Sequence, residues 1–249
     1  MRKKKRKRQR QIRRFLFFAG MLCVLICFGN IITNIAVRKT ADASENPDSS
    51  KQSAKSNALS EQDTWNLILV NPWNPVPDDF TVELTALRNG HAIDERAYPD
   101  LQDMMDAARA EGLSPMICSS YRTMEKQESL YNEQISNYLA QGYSLDAAKT
   151  EAGKWVAVPG TSEHQTGLAV DIVAEDYQIL DETQENTAEQ QWLMHNSYKY
   201  GFILRYPNEK SEITGIYYEP WHYRYVGKEA AREIFEQNLC LEEYLALQK

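Results

Sequence analysis

The sequence has few of the residues that carry redox or metal chemistry. It contains four cysteines and four histidines in 249 residues. Cys23 and Cys27 lie within an apolar run, and Cys118 and Cys240 are isolated and far apart. Two isolated cysteines define no disulfide framework. For Cys118 and Cys240 we therefore expect buried thiols, with a single disulfide as the alternative.

Acidic residues are absent from the first 41 positions, and residues 15–37 carry no charge at all. Ten Lys and Arg precede that apolar run, in residues 1–14. A helix of 23 residues is long enough to cross the roughly 30 Å core of a bilayer. The pattern predicts a cytoplasmic basic segment over 1–14 and a single-pass transmembrane anchor over 15–37, with the remainder outside the cell. A cleaved secretory signal is the main alternative, and a basic nucleic-acid patch is a weak one.

Charge is sharply divided along the chain. Beyond Lys39 there are 16 basic and 35 acidic residues, a formal charge of −19. Such a domain is soluble and does not attract nucleic acid or anionic surfaces by bulk charge. Residues 38–62 are rich in small and polar residues, which predicts a flexible linker before a folded domain over 63–249.

The folded part has helical and strand patterns without regular alternation. Helical spacing of apolar residues, caps and glycine stops predict five helices, over 98–112, 123–140, 146–154, 188–200 and 228–247. Short apolar or alternating runs predict strands over 66–70, 115–118, 166–173, 202–204, 215–218 and 223–226. We therefore predict the α+β class, with a mainly antiparallel sheet and helices packed on one side.

Two short segments group residues that could bind a metal. Residues 162–171 read Ser-Glu-His-Gln-Thr-Gly-Leu-Ala-Val-Asp, and residues 219–222 read Glu-Pro-Trp-His. His164, Asp171 and His222 would supply the three nitrogen and oxygen ligands of a catalytic zinc site. Glu219 lies three residues before His222 and could act as a base on the metal-bound water. Ordinary structural roles stay open for these residues on chemistry alone.

The remaining histidines, His91 and His195, have no comparable pattern around them, and we expect structural roles for both.

The two segments together resemble a known motif. Ser-x-His-x-x-Gly-x-Ala-x-Asp followed by Glu-Pro-Trp-His is similar to the VanY-type zinc D-alanyl-D-alanine carboxypeptidases, which include related L,D-carboxypeptidases. The similarity covers about residues 65–245 and includes the segments 119–123 and 201–207. The resemblance implies one zinc ion bound by His164, Asp171 and His222, with Glu219 as the catalytic base.

The resemblance also implies that Arg122 meets the substrate. A guanidinium binds a terminal carboxylate through two parallel hydrogen bonds. Arg122 could instead polarise the scissile carbonyl, and a surface salt bridge is the ordinary alternative. Weaker substrate-binding candidates are Ser162, Gln127, Trp221 and Tyr206; for the last two, packing in the core is an equally good explanation.

From these observations we expect a membrane-anchored zinc metallocarboxypeptidase that removes the terminal D-alanine from peptidoglycan stem peptides outside the cell. Its expected partners are stem peptides ending in D-alanine and the membrane, but not nucleic acid. One alternative is an L,D-carboxypeptidase that acts on tetrapeptide stems. Another is a zinc-stabilised wall-binding module without catalysis, since a fold alone does not determine activity.

Overall fold

The structure, a computed structural model, describes residues 64–248. The predicted basic segment, membrane anchor and linker, and residue 63 at the predicted start of the domain, lie outside this range. Within the described range, the helices are all too short or too polar to cross a membrane.

The main sheet has four antiparallel strands, and a separate antiparallel hairpin precedes it. The hairpin pairs β1 (Leu84–Ala86) with β2 (Ala92–Asp94). The sheet contains β3 (Pro115–Ser119), β4 (Ala169–Ala174), β5 (Phe202–Leu204) and β6 (His222–Tyr225), in the spatial order β3-β4-β6-β5. The prediction of an antiparallel sheet is confirmed.

The helices occupy both halves of the described chain. They are α1 (Tyr98–Ala110), α2 (Met124–Ala140), α3 (Leu145–Ala152), α4 (Ala188–Asn196), the single turn α5 (Ser211–Thr214), α6 (Lys228–Glu236) and α7 (Leu241–Leu247). Thr123, Ser144 and Thr187 cap α2, α3 and α4, because each side chain accepts a hydrogen bond from a backbone N–H of the first turn. The α+β class is confirmed.

Strand alternation divides the residues of the sheet between two faces. Val170, Ile172, Tyr223 and Phe202 belong to the main core, which also contains Leu101 and Met104 of α1 and Leu193 of α4. Burying each of these apolar side chains contributes about 1.5–3 kcal/mol. The alternate positions, Asp171 and His222, point away from this core and are free to form a polar site.

The helices do not all pack on one side of the sheet. Ile203 alternates with Phe202 and belongs to a second cluster, formed with α6 and α7. Helices α2 and α3 pack against each other around Ile135, Ala148 and Ala152. The prediction of a single helical layer therefore holds for α1 and α4 but not for α6 and α7.

Three local predictions are wrong, each because backbone groups find other partners or the chain turns. Residues 66–70 begin in a 3-10 turn, Trp65–Leu67, and the carbonyls of Asn66 and Ile68 accept from Arg224 instead of joining a sheet. Residues 215–218 form no strand in the described sheet, because the Tyr217 N–H donates at 2.9 Å to the carbonyl of Lys154, which lies outside the sheet. The closing helix is two helices, because Asn238 adopts φ 53° between them.

The two cysteines in the described range are free thiols, so the disulfide alternative is wrong. Cys240 is buried, whereas Cys118 is only partly buried.

Candidate active site

The pairing of β4 with β6 brings the two predicted segments together. Asp171 lies directly opposite His222 in the register, on the face that points away from the main core. His164 lies in the 3-10 turn Glu163–Thr166 that enters β4, and Gly167 ends that turn with φ +73°. A Cβ at Gly167 would lie 3.1 Å from the backbone nitrogen of Asp94, so this turn requires glycine.

The structure brings the three predicted metal ligands into one buried cluster. One ligating atom each from His164, Asp171 and His222 lies within 4.8 Å of the others. His164 Nε2 lies 3.3 Å from Asp171 Oδ2, and His222 Nδ1 lies 3.0 Å from Asp171 Oδ1. The three side chains are almost fully buried. Neither His91 nor His195 belongs to this cluster.

In each imidazole, the ring nitrogen that faces away from Asp171 also has a polar partner. Histidines that bind zinc usually have such a partner, so this contact tests whether the cluster fits zinc. His164 Nδ1 lies 2.8 Å from the carbonyl oxygen of Ser120, which can only accept. His164 Nδ1 therefore carries the proton, and its Nε2 lone pair faces Asp171. His222 Nε2 lies 3.5 Å from a carboxylate oxygen of Glu163. Zinc-binding histidines are typically held in this way, and two imidazoles with one carboxylate suit a catalytic zinc ion. The residues fit zinc.

The two imidazoles differ in charge before a metal binds. Burial and the nearby Arg122 lower the pKa of His164 to about 4, so it is neutral at pH 7. Burial also opposes the charged form of His222, but hydrogen bonds to Asp171 and Glu163 outweigh this and raise its pKa to about 9. Burial likewise opposes the charged form of Asp171, yet contacts with both histidines and Arg122 hold its pKa well below the usual range.

Glu219 lies at the edge of this cluster. Its Oε2 is 3.7 Å from His222 Nδ1, and its side chain is 9% exposed. Burial, followed by the charge of Asp171, raises the pKa of Glu219 to about 8. This pKa belongs to the metal-free site. A cation bound by the cluster would favour the charged carboxylate, which is the form that a general base needs.

Arg122 is held in place by three acceptors. Its Nη2 donates to Asp171 Oδ2 at 2.8 Å, its Nε donates to Ser119 Oγ at 2.9 Å, and its Nη1 donates to Gln127 Oε1 at 3.3 Å. Because Asp171 is buried and Arg122 is 16% exposed, this is not a surface salt bridge. A guanidinium has five N–H donors, so donors remain for a ligand.

Gln127 is fully buried behind Arg122 and donates to the Ala157 carbonyl at 2.7 Å. Its place in the fold is that of a support for Arg122, and it is not among the side chains that line the cleft.

The cluster opens into a cleft of about 310 Å³. Its polar end contains Arg122, Glu219 and Ser162, and its rim is apolar, with Leu130, Trp155, Leu180 and Ile216. The substrate-binding candidates Trp221 and Tyr206 also line this cleft. Both are almost fully buried, so they serve as packed walls whose exposed edges face the cleft.

Four further charged residues lie behind the site, and the sequence motifs gave them no role. The buried Glu163, Arg205 and Arg224 and the partly buried Glu242 form a chain of hydrogen bonds that ends at His222. Glu163 lies inside the first motif and Arg205 inside segment 201–207, so their positions in the sequence could have indicated a role near the site. Their burial was not visible in the sequence.

Two buried histidines and an aspartate, with a buried glutamate beside them in a cleft, form the site of a single-metal hydrolase. The family model described as VanY, D-alanyl-D-alanine carboxypeptidase, matches residues 90–228. The chain belongs to this family.

A D-alanyl-D-alanine carboxypeptidase of Enterococcus faecalis is 52% identical over 205 residues, which is 82% of this chain and 74% of the relative. Among solved structures, VanYB in complex with D-alanine-D-alanine matches with a TM-score of 0.70 and 55% identity, over 74% of this chain and 99% of that one. A mutant VanY D,D-pentapeptidase in complex with Zn(II) matches with a TM-score of 0.68 and 55% identity, over 73% and 99%. The LdcB LD-carboxypeptidase matches with a TM-score of 0.61 and 37% identity, over 74% and 88%.

Proposed function

We propose that this chain is a zinc-dependent D-alanyl-D-alanine carboxypeptidase that removes the terminal D-alanine from peptidoglycan stem peptides. The observation that carries this proposal is the buried cluster of His164, Asp171 and His222, with Glu219 and Arg122 beside it in one cleft. Membership of the VanY family supports the same reaction.

Zinc would be held by His164 Nε2, Asp171 and His222 Nδ1. When bound, it supplies Lewis acidity, which polarises a carbonyl and makes water more acidic. The surrounding burial excludes bulk water and strengthens the electrostatic interactions in the site.

Glu219 moves the proton in this reaction. Its carboxylate accepts a proton from the water that attacks the scissile carbonyl carbon. The same carboxyl group then gives the proton to the nitrogen of the departing D-alanine as the amide C–N bond breaks. Arg122 orients the peptide through the terminal carboxylate or the scissile carbonyl, and its three internal hydrogen bonds hold the guanidinium ready for either contact.

Muropeptide digestion tests the reaction and its stereochemistry together. The purified full chain is incubated with pentapeptide and tetrapeptide stems, with and without EDTA, and the products are measured by mass spectrometry. We expect loss of one alanine from the pentapeptide, abolished by EDTA and restored by zinc. An EDTA-resistant reaction, or no hydrolysis, would contradict the proposal.

An L,D-carboxypeptidase is the second candidate, because LdcB shares the fold at 37% identity. The two activities differ in the residue before the scissile bond. In the same digestion, loss of alanine from the tetrapeptide alone would favour the L,D reaction. Binding of muropeptides without hydrolysis at any pH would instead favour a wall-binding module.

We also propose that residues 15–37 anchor the enzyme in the cell membrane and that the cleft faces the wall. The uncharged run and the ten basic residues before it support this orientation. Cell fractionation and protease digestion of intact protoplasts test it. We expect the full-length chain in the membrane fraction, with residues 64–248 digested from outside. A shortened chain in the medium would indicate a cleaved signal.

A further inference from the structure

Glu163 and His164 are consecutive residues of one 3-10 turn, and they contact opposite sides of the metal cluster. His164 contributes a ring nitrogen to the cluster itself. Glu163 lies on the far side of His222, where its Oε2 is 3.5 Å from His222 Nε2. Since His222 Nδ1 lies 3.0 Å from Asp171 Oδ1, the imidazole is held between two carboxylates, one at each nitrogen.

The two oxygens of Glu163 have different partners. Oε1 accepts from Arg205 Nε at 2.7 Å and from Arg224 Nη1 at 2.6 Å. Oε2 faces His222 Nε2. Because a guanidinium can only donate, the two arginines keep this carboxylate charged and fix its orientation. The carboxylate is thereby left with one oxygen that can accept from an imidazole N–H.

The arginines connect this carboxylate to distant parts of the fold. Arg205 donates to both oxygens of Glu242 at the start of α7, at 2.8 and 2.9 Å. Arg224 donates to the backbone carbonyls of Asn66 and Ile68. Two guanidiniums and two carboxylates balance in charge, and this balance allows the group to stay buried.

We propose that Glu163 is a positioning residue that fixes the ring orientation of His222, so that Nδ1 faces the metal and Nε2 carries the proton. This inference rests on the proposed zinc enzyme. The two histidines would then bind the metal through different ring nitrogens. His164 Nδ1 faces the Ser120 carbonyl, so His164 is left with Nε2 for the metal, whereas His222 would use Nδ1. Loss of such a supporting carboxylate typically costs about 10- to 100-fold in metal affinity.

A pair of variants separates positioning from general stability. E163Q removes the carboxylate that faces His222, whereas E242Q removes the other carboxylate bound to Arg205 without touching His222. Zinc affinity of each full-length variant is measured by competition with a chromophoric chelator, and the Co(II) absorption spectrum reports ligand geometry. We expect E163Q to weaken zinc binding about 10- to 100-fold and to alter the Co(II) spectrum. E242Q should lower the unfolding temperature with a much smaller effect on both metal readouts.

Nitrogen-15 NMR of histidine in the unsubstituted, zinc-loaded chain tests the same point without a variant. The four histidines make assignment practical. We expect His222 to bind through Nδ1 and His164 through Nε2. Two results would overturn this inference but not the proposed function: zinc bound to His222 through Nε2, or equal effects of E163Q and E242Q on the metal readouts. A wild-type chain that binds no zinc overturns the proposed function as well.

Discussion

The role proposed for Glu219 requires a charged carboxylate, although the side chain is buried. A glutamine at this position keeps the shape but cannot accept a proton. We expect E219Q to lower kcat about 10²- to 10⁴-fold, the usual contribution of a general base. Zinc content should stay at one ion per chain, because Glu219 is not one of the three clustered ligands. Muropeptide kinetics and metal analysis measure both quantities. E212Q, on the exposed turn α5, is the matched control, and full activity in E219Q would exclude the proposed role.

The same residue makes a prediction for the metal-free chain. The pKa of Glu219 is raised to about 8, so the folded state holds this proton more tightly than the unfolded state does. Its contribution to stability is fully present below the ordinary glutamate pKa of 4.5 and is lost progressively as the pH rises from there to about 8. E219Q stays neutral, so in EDTA it should exceed wild type in stability by more than about 1 kcal/mol at pH 9, and by less at pH 5. Denaturant unfolding at the two pH values measures this, and a gain independent of pH contradicts it.

Arg122 needs the planar fork of a guanidinium, because three of its nitrogens already contact three different acceptors. A lysine keeps the charge but cannot make these contacts and also bind a substrate. We expect R122K to lower kcat/KM about 10- to 100-fold, consistent with loss of one or more charged hydrogen bonds. R109K on the exposed face of α1 is the control. If R122K retained the wild-type kcat/KM, a positive charge at this position would be sufficient for activity and the guanidinium geometry would not be required.

Strand β4 and the turn before it show what sequence patterns can and cannot predict. The motifs grouped His164, Asp171, His222 and Glu219 correctly, because spacing and residue type carry that information. The sequence pattern predicts a strand from residue 166, whereas the strand begins at Ala169. All six residues of β4 are buried, so alternation of polar and apolar residues did not mark which face each one occupies.

The errors elsewhere have a related cause. Residues 66–70 are apolar and resemble a strand, yet their carbonyls satisfy Arg224. The role of that arginine depends on Glu163, which is distant in sequence. A buried ion pair between distant residues leaves no periodic pattern. Neither the irregular segment nor the burial and pairing of the charged residues behind the site could therefore be inferred from local sequence.

Gly167 links the turn that carries His164 to the strand that carries Asp171. Its φ of +73° disfavours a side chain, and an added Cβ would also meet Asp94, Leu84 and Val82 at 3.1–3.2 Å. Gly112 has φ +84° with nothing within 4 Å, so G112A isolates the backbone cost. We expect G112A to destabilise by about 1 kcal/mol and G167A by more, with weaker zinc binding only in G167A. Chemical denaturation and chelator competition check this. Equal effects of the two substitutions would show that crowding at Gly167 is unimportant.

Considered as a whole, the chain beyond Lys39 is strongly acidic, with a formal charge of −19. This charge does not attract a substrate that itself ends in a carboxylate. Under the proposed function, recognition would therefore come from short-range groups in the cleft, for which Arg122 and the bound metal are the candidates. At physiological salt, screening over about 8 Å limits the repulsion from distant acids. A metal bound by these buried ligands would also couple to the stability of the fold.

Zinc should stabilise the folded chain, and more strongly as the pH rises. A free zinc concentration 1,000 times the Kd adds about 4 kcal/mol to the free energy of unfolding. Zinc must displace the proton of His222, whose pKa in the metal-free site is about 9, whereas His164, with a pKa of about 4, is already neutral. Below about pH 8, Glu219 is also protonated and lacks the negative charge that would favour a bound cation, so it too weakens zinc binding at lower pH. Affinity should therefore rise as the pH increases from 6.5 to 8.5.

Unfolding temperatures of zinc-loaded and EDTA-treated full-length chain, measured at both pH values in zinc-buffered solution, test this linkage. We expect the difference between the two forms to be larger at pH 8.5. The variant E219Q should keep the dependence that arises from His222 and lose the part that arises from Glu219. A difference that is the same at both pH values would mean that His222 binds zinc without losing a proton. That result is incompatible with an imidazole held protonated between Asp171 and Glu163.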